Sequence, residues 1–348
     1  MQSIIREITG QFREAGYFPT ACVRVFDREK TLAVYHTEGC TENSLFDVAS
    51  LTKIATATRV LLSASAGELE LDAELGEVFA EIAQDGFLSR RLKGVTIRML
   101  LTHTSTITPW FPFYSRRGED FWQVFRYALA HTAPVEGMEY SDLNFMLLGK
   151  WWEKRSGLTL RDCLQRDLVQ PLGLGNMMFH PPHNADIVPS SFDNRIEMDM
   201  CRERGIAVEG WRPLHTPVKG TVNDGNAHYY FGDAAGHAGI FADALAYPRQ
   251  CQFYMNTDLT LLAQAQREQP GAPTRGLGLQ TGPMYPDGCG HTGFTGTSIY
   301  FSAQANIGVV AFTNRLYYDH KNPNATGDFR RALHEAVYEK ACQRGGRE

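Results

Sequence analysis

Phe46-Asp47-Val48-Ala49-Ser50-Leu51-Thr52-Lys53, with the run IATATRVLLSASAG that follows it (residues 54–67), is the stretch from which the rest of the chain can be read. From Ser50 onward Ala, Leu and Thr dominate, and Gly67 stands near the end. That pattern predicts a helix closed by glycine. Residues i and i+3 share a helix face, so the Lys53 amine can approach the Ser50 hydroxyl. The start of a helix also stabilises negative charge, which suits an oxygen about to become an alkoxide. A lysine partly removed from water loses pKa and can accept a proton. Ser-x-x-Lys thus places a nucleophile and its activator on one rigid turn. Alone the motif is weak: roughly one match is expected by chance in a chain this long. A capping Ser with a solvated Lys also reads it.

Working outward, Ile4, Ile5, Ile8 and Phe12 recur at helical spacing with charges between them, which predicts an amphipathic first helix and no signal peptide. ACVRVF (21–26) and TLAVY (31–35) read as strands joined by a turn at DREK. Helices are expected over 96–101, 119–130, 143–156 and 159–168. Residues 175–240, rich in Gly, Pro, Asn, Asp and His, read as a long loop without clear periodicity, which is either functional or holds structure of its own. Short strands are expected at 277–280, 290–293, 298–301 and 307–313, and a terminal helix over 328–342. Strands at both ends and helices between them predict an α+β fold: one antiparallel sheet built from both chain termini, flanked by helices, with a mostly helical inserted region. The expectation is a single catalytic domain over 1–348, with 1–66 and 242–348 forming an α/β lobe and 67–241 a mostly helical lobe.

Across 348 residues the net charge is −5, which leaves no basic field for nucleic acid. No apolar run reaches membrane-spanning length. Seven scattered cysteines without a C-x-x-C pair suit free thiols in a reducing compartment. A cytoplasmic location is expected, or a periplasmic or secreted one had a leader been removed. Oligomeric state is not legible.

Further along, Tyr140-Ser141-Asp142 precedes the helix FMLLGKWWEKRSG. A Tyr at a loop–helix junction can serve as a second acid/base, though a packed Tyr beside an Asp N-cap fits the same residues. His291-Thr292-Gly293-Phe294 lies on a predicted strand, where glycine lets a substrate backbone approach and backbone N–H groups can face an oxyanion. A bulge carrying a structural His is the alternative. His228, His237, Asp224 and Asp233 have no metal-ligand spacing and read as a structural or cleft-lining loop. Trp110, Phe111, Phe113 and Tyr114 read as core or cleft wall, with an acyl pocket as the sharper reading. No metal or cofactor is expected, and there is no G-x-S-x-G elbow.

In order and spacing, Ser50-x-x-Lys53, Tyr140-x-Asp142 and His291-Thr292-Gly293 resemble the penicillin-binding-protein and class C β-lactamase-like superfamily of serine hydrolases, whose motifs are Ser-x-x-Lys, Tyr-x-Asn and Lys/His-Thr-Gly. GELELD (67–72), MLLTHTS (99–105), GHAGIF (236–241) and FTNR (312–315) extend the likeness toward D-alanyl-D-alanine carboxypeptidase-like and esterase-like members. The resemblance implies that Ser50 is acylated, that Lys53 is its proton acceptor or electrostatic activator, and that Tyr140 shuttles protons. It implies an oxyanion hole from the N–H groups of Ser50 and Phe294, with Asp142, His291, Thr292 and Gly293 binding a small-molecule or peptide substrate. Two residues depart from the pattern. Asp142 stands for Asn: it cannot donate a hydrogen bond when ionised, and it can pair with Lys53 and raise that amine's pKa. His291 stands for Lys and is mostly neutral near pH 7. The implied activity is hydrolysis of an amide or ester, including a D-alanyl peptide. A small-molecule esterase or acyltransferase and a non-catalytic binding protein remain as alternatives.

Overall fold

The computed structural model describes residues 1–318, 322 and 324–345. The first helix spans Gln2–Glu14. Strands Ala21–Phe26 (β1) and Thr31–His36 (β2) form a hairpin. Its turn is closed by Asp27, whose carboxylate accepts the N–H groups of Glu29 and Lys30 at 2.9 and 2.8 Å. Three two-residue strands, Phe46–Asp47 (β3), Met177–Met178 (β4) and Phe241–Ala242 (β5), make a small antiparallel sheet in the order β3-β5-β4. Near the other end of the chain run Cys289–Thr292 (β6), Ser298–Ser302 (β7) and Ile307–Thr313 (β8). The main sheet is antiparallel, in the order β2-β1-β8-β7-β6. The α+β reading therefore holds: β1 lies beside β8, with Ala21 opposite Thr313 and Phe26 opposite Gly308.

Both faces of this sheet are covered. Val23, Val25, Val309 and Ala311 pack against Ile5 of the first helix and against Phe329 and Leu333 of the terminal helix Gly327–Gly345. Cys22, Phe26, Val310 and Phe312 face the opposite layer, which contains Ile54, Leu61, Tyr247 and Tyr254. A strand buried on both faces has no reason to alternate, and β1 and β8 are buried along their whole lengths.

Several elements differ from expectation. The stretch 175–240 holds β4, the helix Arg195–Glu203 and a one-turn π-helix at Asn226–Tyr230. The helices Ala246–Asn256 and Thr260–Ala265 were not legible. In the first, Pro248 sits in the opening turn, where a missing N–H costs nothing, yet on paper it interrupts the pattern. Residues 277–280 are not a strand. Gly278 has φ +78°, and only Gln280 pairs with β6, through reciprocal bonds with Gly290 at 2.7 and 2.9 Å.

Candidate active site

The site is built at the turn that leads into the helix Thr52–Ser65. Residues Ala49–Leu51 form a 3-10 turn, so Ser50 stands one turn ahead of Lys53. Ala49 has φ +47°, an uncommon conformation for a residue with a side chain. Asp47 holds it: its Oδ1 accepts the Ala49 N–H at 2.9 Å while its Oδ2 accepts the Asn223 N–H at 2.7 Å. Burial pushes the Asp47 carboxyl up to about 6, against the lowering effect of those two bonds. From the other side Thr295 Oγ1 donates to the Asp47 carbonyl and Thr297 Oγ1 to the Val48 carbonyl, at 2.7 and 3.0 Å.

Lys53 is wholly buried, with its amine among oxygens. Nζ lies 3.1 Å from Ser50 Oγ, 3.1 Å from the His237 carbonyl and 2.7 Å from Asp142 Oδ1. Burial alone would lower its pKa. Asp142 and Tyr140 outweigh burial and hold it above the ordinary lysine value. Lys53 is therefore an ammonium at neutral pH, as the Asp142 departure predicted, and each of its protons has an acceptor.

Lys53 Nζ lies 4.9 Å from the centre of the Tyr140 ring. Burial raises the phenol's pKa and the Lys53 charge opposes it; the net shift is upward, so the phenol is neutral. Tyr140 is placed from both sides. The N-cap of the helix Asp142–Ser156 is Ser141, not Asp142, and its Oγ accepts the Asn144 N–H. His103 Nδ1 accepts the Ser141 N–H at 2.9 Å, and the His103 ring lies 4.6 Å from that of Tyr140. Ser105 Oγ donates to Asn144 Oδ1 at 2.7 Å, which ties LTHTS to the same helix.

On β6, His291 lies with its ring 6.1 Å from that of Tyr140. Its Nδ1 donates to the Thr292 carbonyl at 2.9 Å, which leaves the lone pair on Nε2. Burial, then the charges of Lys53 and Arg275, hold it well below the ordinary histidine value. It carries no positive charge for an anion. A Cβ on Gly293 would meet Thr297 Oγ1 at 2.1 Å and the Val48 carbonyl at 2.5 Å, so the turn that carries Ser50 packs where a side chain would stand.

Four further contributors had no role assigned from the sequence. Arg330, on the terminal helix, donates to the Gly293 and Thr297 carbonyls at 3.0 and 2.9 Å and braces the turn that carries Phe294. The His237 carbonyl is brought to Lys53 because Gly236 packs on Gly149: a Cβ on Gly236 would lie 2.2 Å from the Phe145 carbonyl. Asp47 is the third. The fourth is Arg275, whose guanidinium lies 5.3 Å from the Tyr140 ring centre, with buried Nε and Nη1 that have no acceptor among the described residues.

The remaining singled-out residues resolve simply. His228 pairs with Asp233 at 2.6 Å and His237 with Asp224 at 3.0 Å, as two separate pairs. Among the described residues no group of three or more His, Cys, Asp or Glu is placed to hold a metal. Phe111, Phe113 and Tyr114 are buried among other aromatic rings, and Trp110 stacks with Arg204.

N-acetylmuramyl-L-alanine amidase of Bacillus subtilis (strain 168) is 26% identical over 305 residues, covering 79% of this chain and 68% of the relative. A putative D-alanyl-D-alanine carboxypeptidase of Salmonella typhi is 27% identical over 210 residues, 53% of this chain and 46% of that protein, so the match spans under half the relative's length. The class C beta lactamase from Rhodobacter sphaeroides superposes with a TM-score of 0.70 at 16% identity, over 98% of this chain and all (100%) of that one. The profile of the Beta-lactamase family matches residues 5–332, and the chain belongs to that family.

Proposed function

We propose that the protein is a serine hydrolase that forms an acyl-enzyme at Ser50 and cleaves the last residue from a carboxylate-terminated peptide, such as a D-alanyl peptide. The observation that carries the reading is the contact of Ser50 Oγ with Lys53 Nζ at 3.1 Å, with the Tyr140 ring centre 4.9 Å from that amine. The substrate carbonyl would sit between the N–H groups of Ser50 and Phe294. As Oγ bonds to the carbonyl carbon, its proton passes to Tyr140 while the phenol's own proton passes to the leaving nitrogen. No free phenolate is needed, which suits a Tyr whose pKa is raised. The Lys53 ammonium donates to Oγ throughout and stabilises its developing charge. Water then enters where the amine left, and the same relay runs in reverse to free the acid.

Arg275 supports a carboxylate-terminated leaving group. It is a cation beside Tyr140 with two buried donors unused, whereas His291 is neutral. A guanidinium fork matches a carboxylate bidentately. Incubation with a diacetyl-Lys-D-Ala-D-Ala peptide, with free D-alanine measured, tests the reading. Release by the wild type and none by Ser50→Ala is expected. No D-alanine from folded wild-type protein contradicts the peptidase assignment.

A further inference from the structure

A cavity of about 360 Å³ opens beside Phe294, between the FTNR segment and the helix Arg195–Glu203. Phe192, Ile196, Met200 and Leu316 give it apolar walls. Its charges can be accounted for one by one. Asp193 is paired with Arg195 at 2.6 Å, and Asp199 with Arg202 at 2.7 Å. Glu197 accepts the Gly225 N–H; burial and then Asp224 hold it well above the ordinary carboxylate range, which favours its neutral form. Glu203 is exposed to water at the rim.

Arg315 remains. Its Nε donates to the Phe294 carbonyl at 2.9 Å, and its guanidinium lies 5.3 Å from the Phe294 ring centre. Among the described residues it makes no ion pair, and its two Nη groups donate to no protein acceptor. Burial lowers its pKa, but an arginine so shifted is still a cation. A partly buried, unpaired guanidinium at the wall of an otherwise neutralised, apolar cavity is an anion receptor.

We infer that this cavity receives the acyl group of the substrate and that Arg315 selects acyl groups ending in a carboxylate. The inference rests on the Ser50 acyl-enzyme reading, which seats the acyl carbonyl against the Phe294 peptide and points its substituent into the cavity. Arg275 and Arg315 would then recognise anions on opposite sides of the scissile bond.

The p-nitrophenyl monoester of glutaric acid and the p-nitrophenyl ester of glutaramic acid differ only in a terminal carboxylate against a neutral amide. In each, the acyl group passes from p-nitrophenolate to Ser50 and then to water. Wild-type kcat/KM is expected to favour the anionic ester by about tenfold or more, the worth of one charge-assisted contact. Arg315→Met should bring the ratio near one while still hydrolysing the neutral ester. Equal wild-type rates, or a preference that survives in Arg315→Met, overturn the inference and leave Ser50 catalysis standing. If the wild type hydrolyses neither ester, binding is read in place of turnover. Calorimetric titration of both esters into Ser50→Ala and Ser50→Ala/Arg315→Met then decides: tighter binding of the anion that needs Arg315 supports the pocket, and equal binding overturns it.

Discussion

Asp142 lies 2.7 Å from the Lys53 amine, where an asparagine would leave that amine without a counter-ion. Replacing it tests who handles the proton. Asp142→Asn removes the larger of the two influences that raise the Lys53 pKa and leaves burial, which lowers it. If activity depends on Lys53 shedding a proton, the rising limb of kcat/KM against pH moves to lower pH in Asp142→Asn. If the ammonium is the working form, as we propose, the variant instead loses activity on the alkaline side, because Lys53 now deprotonates at lower pH. A pH–rate profile of both proteins separates the two, and an unchanged profile contradicts the coupling altogether. Arg275→Gln should raise KM about tenfold or more for a peptide with a free C-terminal carboxylate, and little for its amide. Equal effects on both would place Arg275 in a structural role. At this scale the sequence spoke where chemistry is local: Ser50 with Lys53 on one turn, and Asp142 as a partner that would charge the lysine. It was silent on Arg275 and the His237 carbonyl. Neither has a local pattern, and both reach the site only through tertiary packing.

The close approach of two backbones decides how well the elements align. The helix Asp142–Ser156 and the GHAGIF segment meet at Gly149 and Gly236, where a Cβ on either would come within 3 Å of the other's backbone. That contact sets the His237 carbonyl on Lys53 and the Gly236 carbonyl on Thr56 Oγ1, at 3.1 and 2.7 Å. Gly236→Ala should therefore displace the segment, lowering kcat/KM by an order of magnitude or more and stability by about 1–3 kcal/mol. Steady-state kinetics and urea unfolding check both, and wild-type values would contradict the alignment role. Elements with a clean signature were legible, as in β1, β8 and the helix that follows Ser50. Those whose register comes from tertiary context were not. Residues 277–280 look like a strand, but Gly278 turns the chain and only Gln280 reaches β6. The helix Arg195–Glu203 was hidden in a stretch whose glycines and prolines read as loop throughout.

Across the whole molecule, joining the two chain ends in one sheet buries groups that would otherwise titrate. His334, on the terminal helix, stacks on Tyr285 and Tyr300 and donates through Nδ1 to the Met284 carbonyl at 2.9 Å. Burial lowers its pKa from 6.5 to about 4. The unfolded chain thus binds this proton more readily, so the stability tied to neutral His334 is complete above pH 6.5 and is lost as pH falls toward 4. The span corresponds to at most about 3 kcal/mol. His103 and His291 act in the same direction. Asp47 has the opposite sign: its raised pKa makes it cost stability as pH rises toward about 6. Urea unfolding at pH 7 and pH 5 should show the wild type losing more stability than His334→Phe between the two; equal losses contradict this. The α+β architecture was legible because the strands cluster at the chain ends. The placement of Arg330 against the Phe294 turn was not, since it depends on the terminal helix crossing the finished sheet. The central claim is that Ser50 is the acylated nucleophile, and active-site labelling tests it most directly. After treatment with a fluorophosphonate, intact mass and peptide mapping should place one adduct on Ser50 in the wild type and none in Ser50→Ala. Folded wild-type protein that carries no adduct at Ser50, or carries it on another residue, would contradict the account.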